Sequence, residues 1–422
     1  MSKENIMADF AKSMASSHII DLSRTDFIQS TGFDVLDIQN ATIDLETNKI
    51  HAGLAYGRIL SIIGRSSTGK STLAIQMAIN MTKGLENSQI YHLDIERATK
   101  PIRIKNISGL TDSQLFDDNY YNLIQRDLST ETVHNLISSL YEFKKANKKK
   151  LLMDIVDSAG DIQKVLPPTV IILDSLALMT SKKNLDDDDI GGNMAGSQNA
   201  NINNKLFLQN HGKLEEANIH LFIINHITTK INIGFLPVAA DIAFLGQDEA
   251  LKGGKSAVYL SDCMIKVTSG EKIGPGKKYD YGDTFTGFII KNKLIKSRNA
   301  ASGMEQIMVY DQNRGVQNEL SNLEAFISNN LLGTGKIGNA KSYYFKELEN
   351  KVFTRKTFLD LLKKDQEFME LYRKYIVILK DLLVTKINET EVPDSEDSDN
   401  VIVKTTRKRK TVVEEDEQEA SE

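Results

Sequence analysis

Nine consecutive residues, Gly64-Arg65-Ser66-Ser67-Thr68-Gly69-Lys70-Ser71-Thr72, satisfy the pattern GxxxxGK[ST]. Each residue type has a task in phosphate chemistry. Gly64 and Gly69 let the backbone turn tightly, so that successive NH groups and a helix N-terminus point at phosphate oxygens. Lys70 supplies a point charge to the β and γ phosphates, and the Ser71 hydroxyl is a ligand for Mg²⁺. The flanks give the motif its context: Arg58-Ile59-Leu60-Ser61-Ile62-Ile63 reads as a buried strand, and Leu73 to Ile79 continues as a helix. Residues 64–72 are therefore expected to hold a nucleoside triphosphate, with ATP and Mg²⁺ as the cofactors.

Two downstream carboxylates fit the same chemistry. Ile90-Tyr91-His92-Leu93-Asp94-Ile95-Glu96 reads as a short strand ending in acids, and Glu96 at a strand end can orient an attacking water and accept its proton. Val170-Ile171-Ile172-Leu173-Asp174-Ser175 follows the breaker pair Pro167-Pro168, and Asp174 is placed to hold Mg²⁺ together with Ser71. A third apolar strand, Leu221 to Ile224, ends in Asn225-His226. A polar pair there can sense the γ-phosphate and pass its presence to the loop beyond; the alternative is a structural histidine.

Positioning these groups takes a sizeable core, and the chain has the length for one. Its 422 residues suit one large domain with smaller additions, and 26% charged with 41% hydrophobic residues is ordinary for a soluble globular protein. No run of about 18 apolar residues suggests a membrane span, and the first residues lack the apolar stretch of a secretory signal. Cys263 is the single cysteine, which excludes an intrachain disulfide and fits a reducing, cytoplasmic setting. The net charge of −5 neither requires nor excludes nucleic acid.

Four segments are expected. Residues 1–30 read as a helical arm, with Ile6, Phe10 and Met14 at helical spacing, suited to packing on a neighbour. Over 31–315, continuously apolar runs alternate with helical segments, the pattern of an α/β core with a mostly parallel central sheet flanked by helices. Residues 316–387 read as a small α-rich C-terminal domain, with Phe345 to Leu348, Phe358 to Leu362 and Tyr375 to Leu379 as parts of helices; the middle run also fits a short strand. The tail 388–422 places acidic clusters around Arg407-Lys408-Arg409-Lys410 and reads as disordered.

Taken in order, these segments resemble the RecA recombinase family over roughly residues 31 to 315, and more closely its bacteriophage UvsX-type branch. Gly53 to Ile59 resembles the lead-in to the phosphate loop, Asp94-Ile95-Glu96 the acidic strand end with Glu96 as catalytic carboxylate, and Ile171 to Ala177 the second nucleotide motif. Gly253-Gly254-Lys255-Ser256-Ala257 is similar to the segment that closes the second DNA-binding loop, and His226 stands where bacterial members carry Gln. Lys291-Asn292-Lys293, after Phe288-Ile289-Ile290, resembles a basic pair at a strand end that reaches the triphosphate of the adjacent subunit. Lys296 and Arg298, beyond that strand end, have the same spacing and compete for the role. Lys100 departs from the acid usual at its position, and Asp186 to Asp189 makes the first DNA loop unusually acidic.

The resemblance implies an ATP-dependent DNA recombinase that forms helical filaments on single-stranded DNA and pairs it with homologous duplex DNA in recombination, repair or replication. It implies a homo-oligomer with single-strand-binding and mediator proteins as partners, no membrane, and the host cytoplasm if phage-encoded. Two loops, about 181–199 and 227–252, would face DNA, with Lys182, Lys183, Asn201, Asn203 and Lys205 in the first and Lys230, Phe235, Leu236 and Lys252 in the second. Two other readings stay open: a RecA-core helicase or translocase, and a nucleotide-binding recombination regulator with little turnover.

Overall fold

A computed structural model describes residues 27–186, 195–229, 242–246, 248–251, 256–338 and 340–391. Its centre is a ten-stranded sheet. In chain order the strands are β1 (Ile59–Gly64), β2 (Gln89–Asp94), β3 (Tyr121–Ile124), β4 (Thr169–Asp174), β5 (Ile219–Thr229), β6 (Glu249–Leu251), β7 (Cys263–Ile273), β8 (Gly287–Ser297), β9 (Glu305–Asp311) and β10 (Gly315–Gln317). Their order across the sheet is β10-β9-β8-β7-β1-β5-β4-β2-β3, with β6 paired to the end of β5. The strands from β7 to β3 are mutually parallel, and β8 to β10 extend the sheet as an antiparallel meander. This is the α/β architecture expected, a mostly parallel sheet with helices on its faces.

The parallel strands are apolar because both of their faces are covered. Every residue of β1 and β4 is buried, and burial of each Ile or Leu side chain is worth about 1.5–3 kcal/mol. Ser61, a polar residue inside β1, is satisfied by the Ser261 hydroxyl at 2.7 Å. Helices cross between the strands: α1 (Asp34–Gln39) precedes the sheet, α2 (Lys70–Thr82) joins β1 to β2, α3 (Pro101–Ser108) lies between β2 and β3, α4 (Thr130–Ala146) between β3 and β4, and α5 (Ala195–Glu216) between β4 and β5. Pro101 opens α3 at a position where its missing NH costs nothing. The Ser129 side chain accepts from the Thr132 NH to cap α4.

The register brings the C-terminal ends of β2 and β4 level and sets them, with the end of β1, beside β5. Asp174 lies opposite Asp94 on one side and Ile224 on the other, and His226 lies opposite Gly64. In open parallel sheets this edge is where ligands bind.

The structure differs from the sequence expectations at several places. β5 continues past Ile224 to Thr229, so Asn225 and His226 lie inside a strand. β8 does not end at Ile290 but runs to Ser297; Lys291 and Lys293 are the outward residues of a strand whose alternate positions, Asn292 and Leu294, are buried. Lys296 therefore lies within the strand.

After the sheet come α6 (Asn318–Ser328), an antiparallel hairpin of β11 (Gly333–Ile337) and β12 (Ala340–Tyr344), α7 (Phe358–Lys364) and α8 (Gln366–Glu391). The hairpin was not expected in an α-rich segment, and Phe345 to Leu348 form a turn, not a helix, closed by the Leu348 NH to the Phe345 carbonyl at 2.8 Å. Phe345 is nonetheless buried, in van der Waals contact with Phe353, Phe368 and Tyr375. One cluster of buried side chains runs without interruption from Phe33 and α2 through β8 and β9 to Leu379 of α8. The C-terminal segment is thus packed on the same core as the phosphate loop. Of the N-terminal arm, residues 1–26 lie outside the described residues, while Ile28–Gln29 pairs with Leu54–Ala55. Of the tail, 388–391 belong to α8 and 392–422 lie outside.

Candidate nucleotide site

The phosphate loop leaves the sheet between β7 and β5, and its two glycines answer two different constraints. At Gly64 a Cβ would stand 2.3 Å from the Val267 carbonyl oxygen of β7, so any side chain would break the strand contact. Gly69 caps α2 at φ +90°, a left-handed conformation that favours glycine. Ile290 of β8 and Tyr310 of β9 close over Gly69. Within the loop, Thr68 Oγ1 donates to the Arg65 carbonyl at 3.0 Å and Lys70 Nζ to the same oxygen at 2.6 Å. Burial lowers the Lys70 ammonium below its ordinary range, while Asp174 and Glu96 pull it back up. Lys70 is a cation held against its own loop and ready to exchange that carbonyl for a phosphate oxygen.

Asp174 sits at the end of β4, 5% exposed. Burial pushes its carboxyl up to about 6, against a hydrogen bond from the Ser71 hydroxyl. A buried carboxylate so raised, accepting from the loop serine, is a position a divalent cation would stabilise. The donor set therefore fits Mg²⁺, held by Ser71 and Asp174. His92 Nε2 lies 4.0 Å from Asp174 and has no hydrogen-bond partner among the described residues; burial holds this imidazole down to about 4, so the two do not form an ion pair at neutral pH. Asp94 is close by but occupied, accepting from the Ala98 NH, the Thr99 NH at 2.9 Å and Gln125 Nε2 at 2.7 Å.

Those bonds shape the turn that presents Glu96. The Ile95 NH and the Glu96 NH both donate to the Asp174 carbonyl oxygen, at 2.7 and 3.4 Å, so Glu96 stands directly beyond the end of β4. Its Oε1 accepts from the Ser175 hydroxyl and from His226 Nε2, each at 2.9 Å. The expected base, the expected γ-phosphate sensor and an unexpected serine thus meet at one oxygen atom.

A cleft of about 320 Å³ is lined by residues 66–72, Glu96, Asp174, Ile224, His226, Phe288, Tyr310 and Gln312. The far wall was not legible in the sequence. Phe288 and Tyr310 stack with centroids 4.8 Å apart, and Arg103 of α3 donates to the Tyr310 hydroxyl at 2.9 Å and to Thr72 Oγ1 at 3.3 Å. Arg103, and not exposed Lys100, is the α3 cation that borders the cleft. Its partners lie on β9 and α2, far along the chain, and no local pattern marks them.

Lys291 and Lys293 do not line their own chain's cleft. Phe288 and Ile290 face it from the other side of β8. Among the described residues neither lysine has a carboxylate partner. The competing pair is engaged: Lys296 Nζ donates to the Val258 and Tyr259 carbonyls at 2.9 and 2.7 Å, and Arg298 lies 3.4 Å from Asp262. Of the first loop, Lys182, Lys183, Asn201 and Lys205 are exposed, whereas Asn203 is buried and accepts from Thr130 Oγ1 at 3.0 Å, which removes it as a surface contact. Lys230, Phe235, Leu236 and Lys252, and Asp187 to Asp189, lie outside the described residues.

Fold and cleft together have the features of a phosphate-binding α/β core, a glycine-bounded loop at a helix N-terminus with a carboxylate and a histidine poised beside it. Residues 34–226, from α1 to the histidine on Glu96, match a protein-family model described as AAA domain. Among solved structures, the crystal structure of the RadB recombinase aligns with 68% of this chain and 98% of its own at 15% identity and a TM-score of 0.41. Among the described residues no helix is long and apolar enough to cross a membrane.

Proposed function

We propose that this protein is a RecA-like DNA recombinase of the UvsX type. It hydrolyses ATP in a DNA-dependent manner, assembles as a helical filament on single-stranded DNA and pairs that strand with homologous duplex. The observation that carries the reading is the Glu96–His226 contact. His226 reads the γ-phosphate end of the cleft, and its own strand, β5, runs three residues further into the segment assigned to DNA. One rigid strand thus joins the reacting end of the nucleotide to the DNA-facing side, the element that a two-state coupling needs.

In the proposed reaction the phosphate-loop NH groups and Lys70 hold the β and γ phosphates, and Ser71 with Asp174 holds Mg²⁺. The metal, when bound, neutralises charge on the phosphate oxygens. Glu96 orients water and takes its proton, with Ser175 and His226 fixing the carboxylate. Lys291 and Lys293 of one protomer complete the site of the next, in the manner of cations supplied in trans. Filament assembly then depends on the triphosphate, and its hydrolysis loosens the contact. Lys182 and Lys183 on the first loop, and Lys230, Phe235 and Lys252 on the second, contact DNA backbone and bases. Single-strand-binding and mediator proteins are the proposed partners and a host-cell cytoplasm the proposed site of action.

The test is ATP turnover of the purified protein with and without single-stranded DNA, followed by imaging of the ATP-bound complex. DNA-stimulated hydrolysis with helical filaments supports a recombinase. Closed rings that unwind duplex would instead identify a motor, and nucleotide binding with negligible turnover a regulator.

A further inference from the structure

Three donors meet where β2 and β4 end, on the face of the sheet packed against α2. His92 and Asp94 are two residues apart on β2 and so share a face, and Asp174 of β4 lies opposite Asp94. One ligand atom from each, an imidazole nitrogen and two carboxylate oxygens, fall within 4.8 Å of one another, and all three residues are buried.

The histidine is the unusual member of this group. Its side chain is 0% exposed, Nδ1 lies 2.9 Å from the Tyr121 hydroxyl of β3, and Nε2, 4.0 Å from Asp174 Oδ2, has no partner among the described residues. With Nδ1–H donating to Tyr121, Nε2 carries a free lone pair directed at the carboxylates. An outer hydrogen bond of this kind fixes the tautomer and ring orientation of metal-ligating histidines. Asp94 is oriented by neutral donors: the Thr99 NH at 2.9 Å and Gln125 Nε2 at 2.7 Å bond to Oδ2, and the Ala98 NH at 3.3 Å to Oδ1. Among the described residues no ammonium or guanidinium pairs with it, and Lys70 is held by the Arg65 carbonyl at 2.6 Å. Two neighbouring buried carboxylates repel unless a cation lies between them.

We propose that His92, Asp94 and Asp174 form a second cation site, for a borderline transition ion of the Zn²⁺ class, deeper than the Ser71 and Asp174 position assigned to Mg²⁺. Three protein ligands of N and O type with water in the fourth position suit such an ion, whose tetrahedral ligand atoms stand about 3.4 Å apart. Closing the distance between His92 and Asp174 therefore takes roughly half an ångström. The nitrogen donor selects against Mg²⁺, which takes oxygen ligands and dehydrates reluctantly. Asp174 lines the cleft and His92 does not, so the ion enters past Asp174. Once bound, it ties β2 to β4 at the end that presents Glu96, and its binding depends neither on DNA nor on a neighbouring protomer.

The test uses full-length, metal-depleted protein without nucleotide, titrated with Co²⁺ as an optical probe and with Zn²⁺ by calorimetry. Wild type should take up one Co²⁺ per chain with the visible bands of a four-coordinate site, and a large excess of Mg²⁺ should leave those bands in place. Tyr121→Phe, which removes only the hydroxyl behind the ring, should cost about 10–100-fold in Zn²⁺ affinity, and His92→Phe, which removes the ligand itself, more than that. The Zn²⁺-dependent rise in melting temperature of wild type should vanish in His92→Phe. Absence of binding, or displacement of Co²⁺ by Mg²⁺, overturns the proposal on wild-type protein alone. Zn²⁺ affinity unchanged in His92→Phe overturns it as well, since the ion would then sit elsewhere.

Discussion

Glu96 receives two hydrogen bonds on Oε1, which leaves its other oxygen to face a water. Glu96→Gln keeps the shape and loses the basicity, so nucleotide affinity should persist while turnover falls by about 10²–10⁴; equilibrium binding and steady-state hydrolysis measured together check this. Ser175→Ala removes one of the two bonds and should lower turnover by about tenfold without weakening nucleotide binding. Asp174 gives a pH signature. Its carboxyl is raised from 3.8 to about 6 by burial, so the metal-free folded protein binds this proton more tightly than the unfolded chain. The associated stability is fully present below 3.8 and is lost as pH rises through about 6. Thermal melts without metal should show wild type falling below Asp174→Asn as pH rises over that window, with the gap closing on addition of Mg²⁺ and nucleotide. The phosphate-loop residues that line the cleft were legible at this scale because their motif is local. Ser175 and Arg103 were not, because their partners lie 79 and 207 residues away in the chain.

At the scale of elements, the site exists because β1, β2 and β4 end beside β5, which runs on past them. Gly64 is the tightest point of that arrangement, and Gly64→Ala would force a Cβ into the Val267 carbonyl of β7. We expect a loss of about 1–3 kcal/mol, read as a lower denaturant midpoint with unchanged slope, together with loss of nucleotide binding. The buried parallel strands were readable as unbroken apolar runs bounded by Asp or polar residues. β8 was misjudged for a physical reason: one of its faces is solvated, so Lys291 and Lys293 looked like a strand end when they are the outer half of an alternation. Phe345 to Leu348 was misjudged because an apolar pair at helical spacing also describes a turn whose aromatic side chains point into a core.

For the whole molecule, charge is unevenly distributed. Residues 392–422 carry ten acids and five bases, a net −5 that equals the net charge of the whole chain. The rest is neutral, so under the proposed function the acidic tail would compete with DNA for basic loop residues, an electrostatic brake that salt would relieve. Removing residues 392–422 should tighten binding to duplex DNA and flatten its salt dependence; unchanged affinity would dismiss the brake. Assembly is the larger question, because Lys291 and Lys293 face away from their own cleft and a head-to-tail contact would bring them to the next one. The most direct measurement is ATP turnover on single-stranded DNA by a 1:1 mixture of Glu96→Gln protein with Lys291→Ala/Lys293→Ala protein. Each alone should be nearly inactive, and the mixture should regain about a quarter of wild-type turnover, the share of interfaces that random mixing completes. A mixture no more active than its components would contradict a nucleotide site shared between neighbours.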